Sequence, residues 1–341
     1  MIIKNIKILI IFIYTIIVSI RPIRKAILSL IFNSNTEVIF KSKKNKFNNV
    51  ILNRYNLYVL YLLLKIERYN MNIIKIFPDK VNLKFYNHIF ETPITPDNLN
   101  MILDFLKILY QDKISIISIE ENNVVINIKN LNLTLKAPLS LLAPTISSML
   151  SKKYYETWYW DIDVKDKVVV DVGAYIGDSA LFFASRGAKI VYAYEPSKRL
   201  YEIAMENCSN YNNIILHNFG LGCSEKYAFL IGFGVDLSVS ELTQDSEKVL
   251  LKSFNKELRT IIRKEGRIDV FKLDCEGCEW EFLNCFDEKL IEHIQTIVVE
   301  IHGKDHNFFL KKLEKYGFKL IKKRKLFGSK DIAMYTLQKA Y

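Results

Sequence analysis

Lys167-Val-Val-Val-Asp-Val-Gly-Ala-Tyr-Ile-Gly-Asp-Ser-Ala-Leu-Phe-Phe-Ala-Ser-Arg-Gly-Ala-Lys-Ile-Val-Tyr-Ala-Tyr-Glu-Pro196 is the stretch that decides the fold. Val168 to Val172 is β-branched apart from Asp171, as expected of a strand buried on both faces. Gly173 and Gly177 bracket a short turn. Asp178 and Ser179 suit a helix N-cap, Ala180 to Ser185 reads as helix, and Gly187 ends it. Ile190 to Tyr194 is a second strand with Glu195 at its carboxyl end. This strand–glycine turn–helix–strand–acid unit is the first half of a nucleotide-binding sheet. Its glycines let backbone approach a ligand, and its acid accepts hydrogen bonds from two ribose hydroxyls. G-x-G-x-x-G would need glycine at Tyr175, so no tight pyrophosphate cradle is expected. An adenosine ligand without phosphates fits better. The competing reading is an ordinary βαβ turn, against which the strand–turn–helix context counts.

A second stretch, Ile268-Asp-Val-Phe-Lys-Leu-Asp-Cys-Glu-Gly-Cys-Glu-Trp-Glu281, ends a strand at Asp274 and starts a helix near Gly277. Val299-Glu-Ile-His302 is a later strand. Taken with Asp171-Val-Gly-Ala-Tyr-Ile-Gly-Asp178 and Tyr194-Glu-Pro196, these motifs resemble the FkbM-type family of S-adenosylmethionine-dependent methyltransferases. Its pattern K-[IL]-D-x-E-G-x-E is met by Lys272, Leu273, Asp274, Glu276, Gly277 and Glu279, and its E-x-H by Glu300 and His302. The likeness covers about residues 150 to 340, with Tyr175 where the family usually has Asn.

The resemblance implies an α/β fold, the class I methyltransferase (Rossmann-like), with a mostly parallel seven-stranded sheet whose last strand is antiparallel. A small α+β N-terminal region precedes it. It implies S-adenosyl-L-methionine as cofactor. Asp171 and Gly173 are expected to face its methionine end, Glu195 the ribose and Asn218 the base edge. Ala174, Tyr175, Gly177, Asp178, Ser179, Pro196 and Asp274 complete the expected contacts. Methyl transfer is an in-line displacement in which the protein positions the acceptor and removes its proton. His302, with an unperturbed pKa near neutrality, is the preferred base; Glu276 is second, and Asp274 and Glu300 map to the same strand ends. No metal ligand set is assigned, since an ion on Asp274, Glu276 and Glu300 lacks a diagnostic spacing. Structural roles compete: Glu276 capping the following helix, Glu279 pairing with a surface Lys, His302 as a core imidazole.

The net charge of +11 is uneven. Residues 1–160 hold 21 Lys+Arg against 10 Asp+Glu, and residues 161–341 hold 27 of each. Ile8 to Ile20 is an apolar run between basic residues, about 20 Å long as a helix and short of the roughly 30 Å hydrocarbon core. Two readings stand for it and for Ile23 to Phe32: helices lying on a membrane surface, or helices packed on the protein's own core. A signal peptide is disfavoured because no A-x-A-like cleavage site follows.

Three regions are therefore expected: a basic apolar segment 1–46, a small α+β accessory region 47–150, and the methyltransferase domain 151–341. In the accessory region, Tyr55 to Ile66 reads as helix. Thr95-Pro-Asp opens a helix to Tyr110, and 114–119, 124–128 and 131–135 read as strands. Pro138 to Pro144 reads as a boundary, and Tyr154 to Trp160 as an aromatic packing cluster. In the domain, Lys248 to Lys264 reads as one amphipathic helix. The five cysteines, including the C-x-x-C of Cys275 and Cys278, read as buried thiols in a reducing compartment.

The expected acceptor is a small molecule, glycan or lipid-linked hydroxyl, at a cytoplasmic site that includes the inner membrane face if the N-terminus binds there. Near-neutral charge over 161–341 argues against nucleic acid. The other functional readings are an NAD-dependent oxidoreductase or epimerase, which Tyr175 disfavours, and a non-catalytic membrane- or RNA-binding scaffold.

Overall fold

The structure is a computed structural model. It describes residues 37–38, 50–51, 62, 65–66, 69, 71–76, 80–86, 88–93, 95–120, 123–150, 161–231, 238–240, 247–303, 305–325 and 332–340. The expected surface helices within 8–32, most of the 55–66 helix and the 154–160 aromatic cluster lie outside these residues. Among the described residues no helix is long and apolar enough to cross a membrane.

The chain divides into two compact units, 1–107 and 108–341. The division falls inside the expected 47–150 region. In the first unit β1 (Glu37–Val38) pairs antiparallel with β2 (Val50–Ile51). β3 (Met71–Ile76), β4 (Lys80–Phe85) and β5 (His88–Pro93) form an antiparallel meander. β4 buries every second residue, Val81, Leu83 and Phe85, as a one-sided strand must. α1 (Pro96–Tyr110) starts where expected: the Asn98 amide donates to Thr95 Oγ1 at 3.3 Å.

The second unit opens with β6 (Ile114–Glu120), β7 (Asn123–Ile128) and β8 (Leu133–Pro138), the three expected strands in one antiparallel sheet. The expected boundary at Pro138–Pro144 is instead α2 (Leu139–Leu150), a helix with Pro144 inside it. Burial of Leu139, Leu142, Ala143, Ile146 and Met149 outweighs the backbone bond that proline forgoes.

The central sheet follows. β9 (Val168–Val172) leads through α3 (Asp178–Ser185) to β10 (Ile190–Tyr194), then α4 (Lys198–Cys208) to β11 (Ile214–His217). β12 (Gly220–Gly222), β13 (Lys226–Ile231), β14 (Ser238–Ser240) and β15 (Glu247–Ser253) form a separate four-stranded sheet. The expected helix over Lys248–Lys264 is thus corrected. Its first part is β15, where Val249 and Leu251 alternate inward, and α5 (Phe254–Glu265) begins only at Phe254. β16 (Ile268–Leu273), α6 (Cys278–Cys285), α7 (Glu288–Ile291), β17 (Ile294–His302), α8 (His306–Glu314), β18 (Phe318–Lys325) and β19 (Ile332–Lys339) complete the chain.

The seven-stranded order is β11-β10-β9-β16-β17-β19-β18. β9 to β11, β16 and β17 are parallel, and β19 runs antiparallel between β17 and β18. This is the expected class I architecture. β9 is buried along its whole length, and β16 likewise, which explains their continuous apolar runs. Asn207 on α4 ties the β6–β8 sheet to this core. Its Nδ2 donates to Lys136 O at 3.1 Å and to Ile176 O at 2.9 Å, and its Oδ1 accepts from the Lys136 amide. The accessory sheet so buttresses the turn after β9.

Candidate active site

Register places the expected residues. Val172 is level with Tyr194 on β10 and with Leu273 on β16, and Leu273 is level with Val299 on β17. The next residues, Glu195, Gly173, Asp274 and Glu300, therefore emerge side by side at the carboxyl end of four adjacent strands, where open α/β sheets bind ligands. Glu195 and Asp274 stand two strand spacings apart, roughly 10 Å.

The cradle is built on two buried anions. Glu195, 4% exposed, accepts the Tyr175 amide on Oε2 and the Ser197 amide on Oε1, both at 2.9 Å. Burial pushes its carboxyl up to about 8, against the pull of those two N–H groups. Asp171 does not face outward as expected. It is fully buried, accepts Ser179 Oγ at 2.6 Å, and pairs with Lys272 Nζ at 2.8 Å. Lys272, 2% exposed, also donates to Gly173 O at 2.8 Å and lies 3.9 Å from Asp274. Burial lowers the Lys272 ammonium, but the charges of Asp171 and Asp274 outweigh it and hold it above its ordinary value.

The glycines serve packing rather than ligand approach. A Cβ on Gly173, at φ +83°, would stand 1.9 Å from Asp274 O. One on Gly177, at φ +85°, would stand 2.9 Å from Cys208 Sγ. Neither Asp178 nor Ser179 caps α3: the cap is Gly177 in the left-handed region, and Ser179 is committed to Asp171. Tyr175 also has positive φ, +51°, which turns its amide onto Glu195. Asn218 does not offer its amide nitrogen to a base. It donates to Glu195 O at 3.1 Å and Pro196 O at 3.2 Å, bracing the loop behind the carboxylate. Beside it Tyr194 and His217 stack at 4.9 Å with Phe219 against both, and Lys252 Nζ lies 4.0 Å over the Phe219 ring. Burial and Lys252 pull the His217 imidazolium down.

The tip of β17 holds a second group of acids. His302 Nδ1 lies 2.9 Å from Glu279 Oε1; its Nε2 lies 3.1 Å from Glu276 Oε2 and 3.3 Å from Glu300 Oε1. Glu279 is fully buried, so its expected pairing with a surface Lys is corrected. It accepts the Gly277 amide at 2.9 Å and the His302 amide at 3.2 Å, taking the capping contact expected of Glu276. Glu276 sits at φ +55° and turns toward the imidazole. Trp280 Nε1 donates to His302 O at 2.6 Å, fixing the strand end. Burial would lower the His302 imidazolium, but hydrogen bonds to Glu276, Glu279 and Glu300 push it up to about 12. Burial and the charge of Asp274 raise Glu300 to about 7.

The cysteine expectation is corrected as well. Cys275 is disulfide-bonded to Cys278 and Cys223 to Cys285, leaving only Cys208 free and buried among the described residues. The left-handed Glu276 and Gly277 fold the C-x-x-C back on itself, so its Cα atoms are 5.6 Å apart. The two disulfides staple both ends of α6.

The expected catalytic residues come together; of the expected cofactor residues, Tyr175 and Asn218 sit against Glu195 or its loop, whereas Asp171 and Ser179 are tied to one another in the core and Gly177 packs on Cys208. Sequence reasoning missed Lys272 and Glu279 as functional. Their signal was a charged residue at a position flanked by a buried strand or inside a repeated acidic motif. The residues fit an adenosyl group. Each Glu195 oxygen takes one N–H and keeps a second acceptor position, as a vicinal diol requires.

Residues 171–320 match the model of the methyltransferase FkbM domain. Uncharacterized protein 65 of Sulfolobus islandicus filamentous virus is 29% identical over 131 residues, 38% of this chain and 58% of that protein. The match thus spans less than two thirds of that relative. Among solved structures, Methanococcus jannaschii fibrillarin, a pre-rRNA processing protein, aligns with TM-score 0.36 and 16% identity over 79% of this chain and 97% of its own. Aeropyrum pernix fibrillarin, solved with natively bound S-adenosyl-L-methionine, aligns with TM-score 0.32 and 12% identity over 66% and 97%. These likenesses concern the fold alone. The expectation against nucleic acid is corrected on this chain's own charge, and the solved structures it is similar to include a pre-rRNA processing protein. The physical reason is that a neutral sum hides local charge: β18 carries Lys319, Lys322, Lys323, Arg324 and Lys325 in one strand.

Proposed function

We propose, from the premise that residues 171–320 form an FkbM methyltransferase domain, that this protein transfers a methyl group from S-adenosylmethionine to a hydroxyl of a sugar, glycolipid or secondary metabolite. The observation that carries this reading is the alignment of Glu195, Gly173, Asp274 and Glu300 on four adjacent strand tips. Glu195 would hold the ribose, the Gly173–Tyr175 turn the methionine end, and the loop braced by Asn218 the base. When bound, the cofactor supplies an activated methyl and its own leaving group.

The chain's own residues do the rest. Lys272 fixes Gly173 and Asp274 to one another through a single ammonium, so the two strand tips cannot drift apart. Asp274 orients the reacting edge. The carboxylates grouped on His302 line the acceptor side and supply acceptors for the hydroxyl's hydrogen. Holding donor and acceptor in line is the larger part of such catalysis.

Titration with S-adenosylhomocysteine should give one site, and Glu195→Ala should weaken it at least tenfold. Binding of NAD in its place would overturn the reading. With labelled S-adenosylmethionine, label should pass to small hydroxyl acceptors in a metabolite and glycolipid extract. Label that passes instead to RNA would replace the acceptor class.

A further inference from the structure

His302 is oriented like a ligand. Glu279 takes Nδ1 at 2.9 Å while its other oxygen accepts the Gly277 amide, so the ring cannot turn away. A buried carboxylate on one imidazole nitrogen is the usual support for a metal on the other. The free face, Nε2, points at Glu276 and Glu300 at 3.1 and 3.3 Å. Two ligands at right angles about 2.1 Å from one cation lie about 3 Å apart. One ligand atom from each of Glu276, Glu300 and His302 lies within 4.8 Å of the others.

Glu300 supplies the second observation. It is only 8% exposed, yet its carboxylate has one polar partner among the described residues, the same Nε2 that Glu276 approaches more closely. A cation on Nε2 takes the place of the proton there, and both carboxylates then have it as a common partner. Asp274 adds further negative charge nearby. Buried carboxylates are paired or hold metals, and here the buried Glu279 and Glu300 and the half-buried Glu276 meet at one imidazole.

We propose that Glu276, Glu300 and His302 bind a divalent transition-metal cation, with its remaining positions open to water or an acceptor oxygen. One imidazole and two carboxylates suit Mn²⁺, Fe²⁺, Co²⁺ or Zn²⁺ better than Ca²⁺, which takes six to eight oxygens. The site goes beyond the methyl-transfer reading and stands without it.

The test uses the full chain stripped with chelator and titrated with Co²⁺, read by its visible absorption, and with Mn²⁺, read by loss of the free-ion paramagnetic signal. One equivalent should bind. His302→Gln and Glu300→Gln should each weaken binding at least tenfold, and Glu279→Gln, which changes only the support, by about 10–100-fold. Melting curves check that each variant is folded. Absence of saturable binding by wild-type protein, or binding that survives both ligand substitutions, overturns the site. S-adenosylhomocysteine titration of the wild type is run in parallel. Metal binding without cofactor binding would sink the methyltransferase reading and leave the metal site standing.

Discussion

The cradle at the tips of β9, β10 and β16 and the cluster at the tip of β17 are both rich in buried acid, and they treat it in opposite ways. In the cradle Glu195 and Asp171 each have their own donors: two amides for Glu195, Ser179 and Lys272 for Asp171. In the cluster Glu276, Glu279 and Glu300 converge on one imidazole. The cradle's charge is offset within the protein, so its anions hold the architecture. In the cluster Glu279 is served by two amides as well, whereas Glu276 and Glu300 meet at one Nε2, the position proposed for a metal.

The comparison breaks most violently at Lys272. If the cradle is internally balanced, removing its one cation strands Asp171 in the core. Lys272→Met should cost about 3–5 kcal/mol, as loss of one partner of a buried pair does. Urea unfolding measures this. A loss below about 1 kcal/mol would mean that the cradle is not balanced by that ammonium.

Glu195 gives a pH-dependent version of the same contrast. Its folded carboxyl sits near 8 against an ordinary 4.5, because burial opposes the charge. The folded chain therefore binds this proton more tightly than the unfolded chain. The associated stability is fully present below about 4.5 and is lost as pH rises through 8. The melting temperature should fall between pH 5 and 8, and Glu195→Gln should flatten that slope. A wild-type curve that rises over the same range, with no difference in the variant, would contradict it.

A smaller effect is expected where the cradle meets α4. Glu247 accepts Ser197 Oγ at 2.8 Å and the Lys198 amide at 2.7 Å, reinforcing a helix start that Ser197 caps on the Leu200 amide. Glu247→Ala should cost about 1 kcal/mol, the ordinary worth of a cap. Urea unfolding of this variant would show whether Ser197 holds the loop alone.

The cradle was more legible in the sequence than the cluster, for physical reasons. A buried strand, a turn and a helix each leave a local period, so β9, α3 and β10 can be read directly. Lys248 to Lys264 misled because the inward alternation of β15 shows only Val249 and Leu251 before helical spacing takes over. Glycine shows that a Cβ is excluded and not what excludes it; at Gly173 the obstacle is Asp274 O, 101 residues along the chain. Lys272 and Glu279 look like surface charges until strand pairing encloses them. The disulfides were hidden because Cys223 and Cys285 meet only when β12 packs on α6.

Glu300→Gln carries the smallest expected change in stability and bears hardest on the contrast. In an internally balanced group, neutralising one member leaves a donor or a counter-charge unserved and the fold loses. Glu300 is the farther of two carboxylates on Nε2, so Glu276 still serves the imidazole without it, and Asp274 repels it. The amide removes that repulsion and brings a donor of its own, so in chelated protein the variant should match or exceed the wild type, by no more than about 1 kcal/mol. With Co²⁺ or Mn²⁺ added, the order should reverse, because only the wild type gains the free energy of binding an ion to its folded state. A loss above about 2 kcal/mol without metal would show that Glu300 is already served by its imidazole. The cluster would then be a second balanced group, and the contrast with the cradle would disappear.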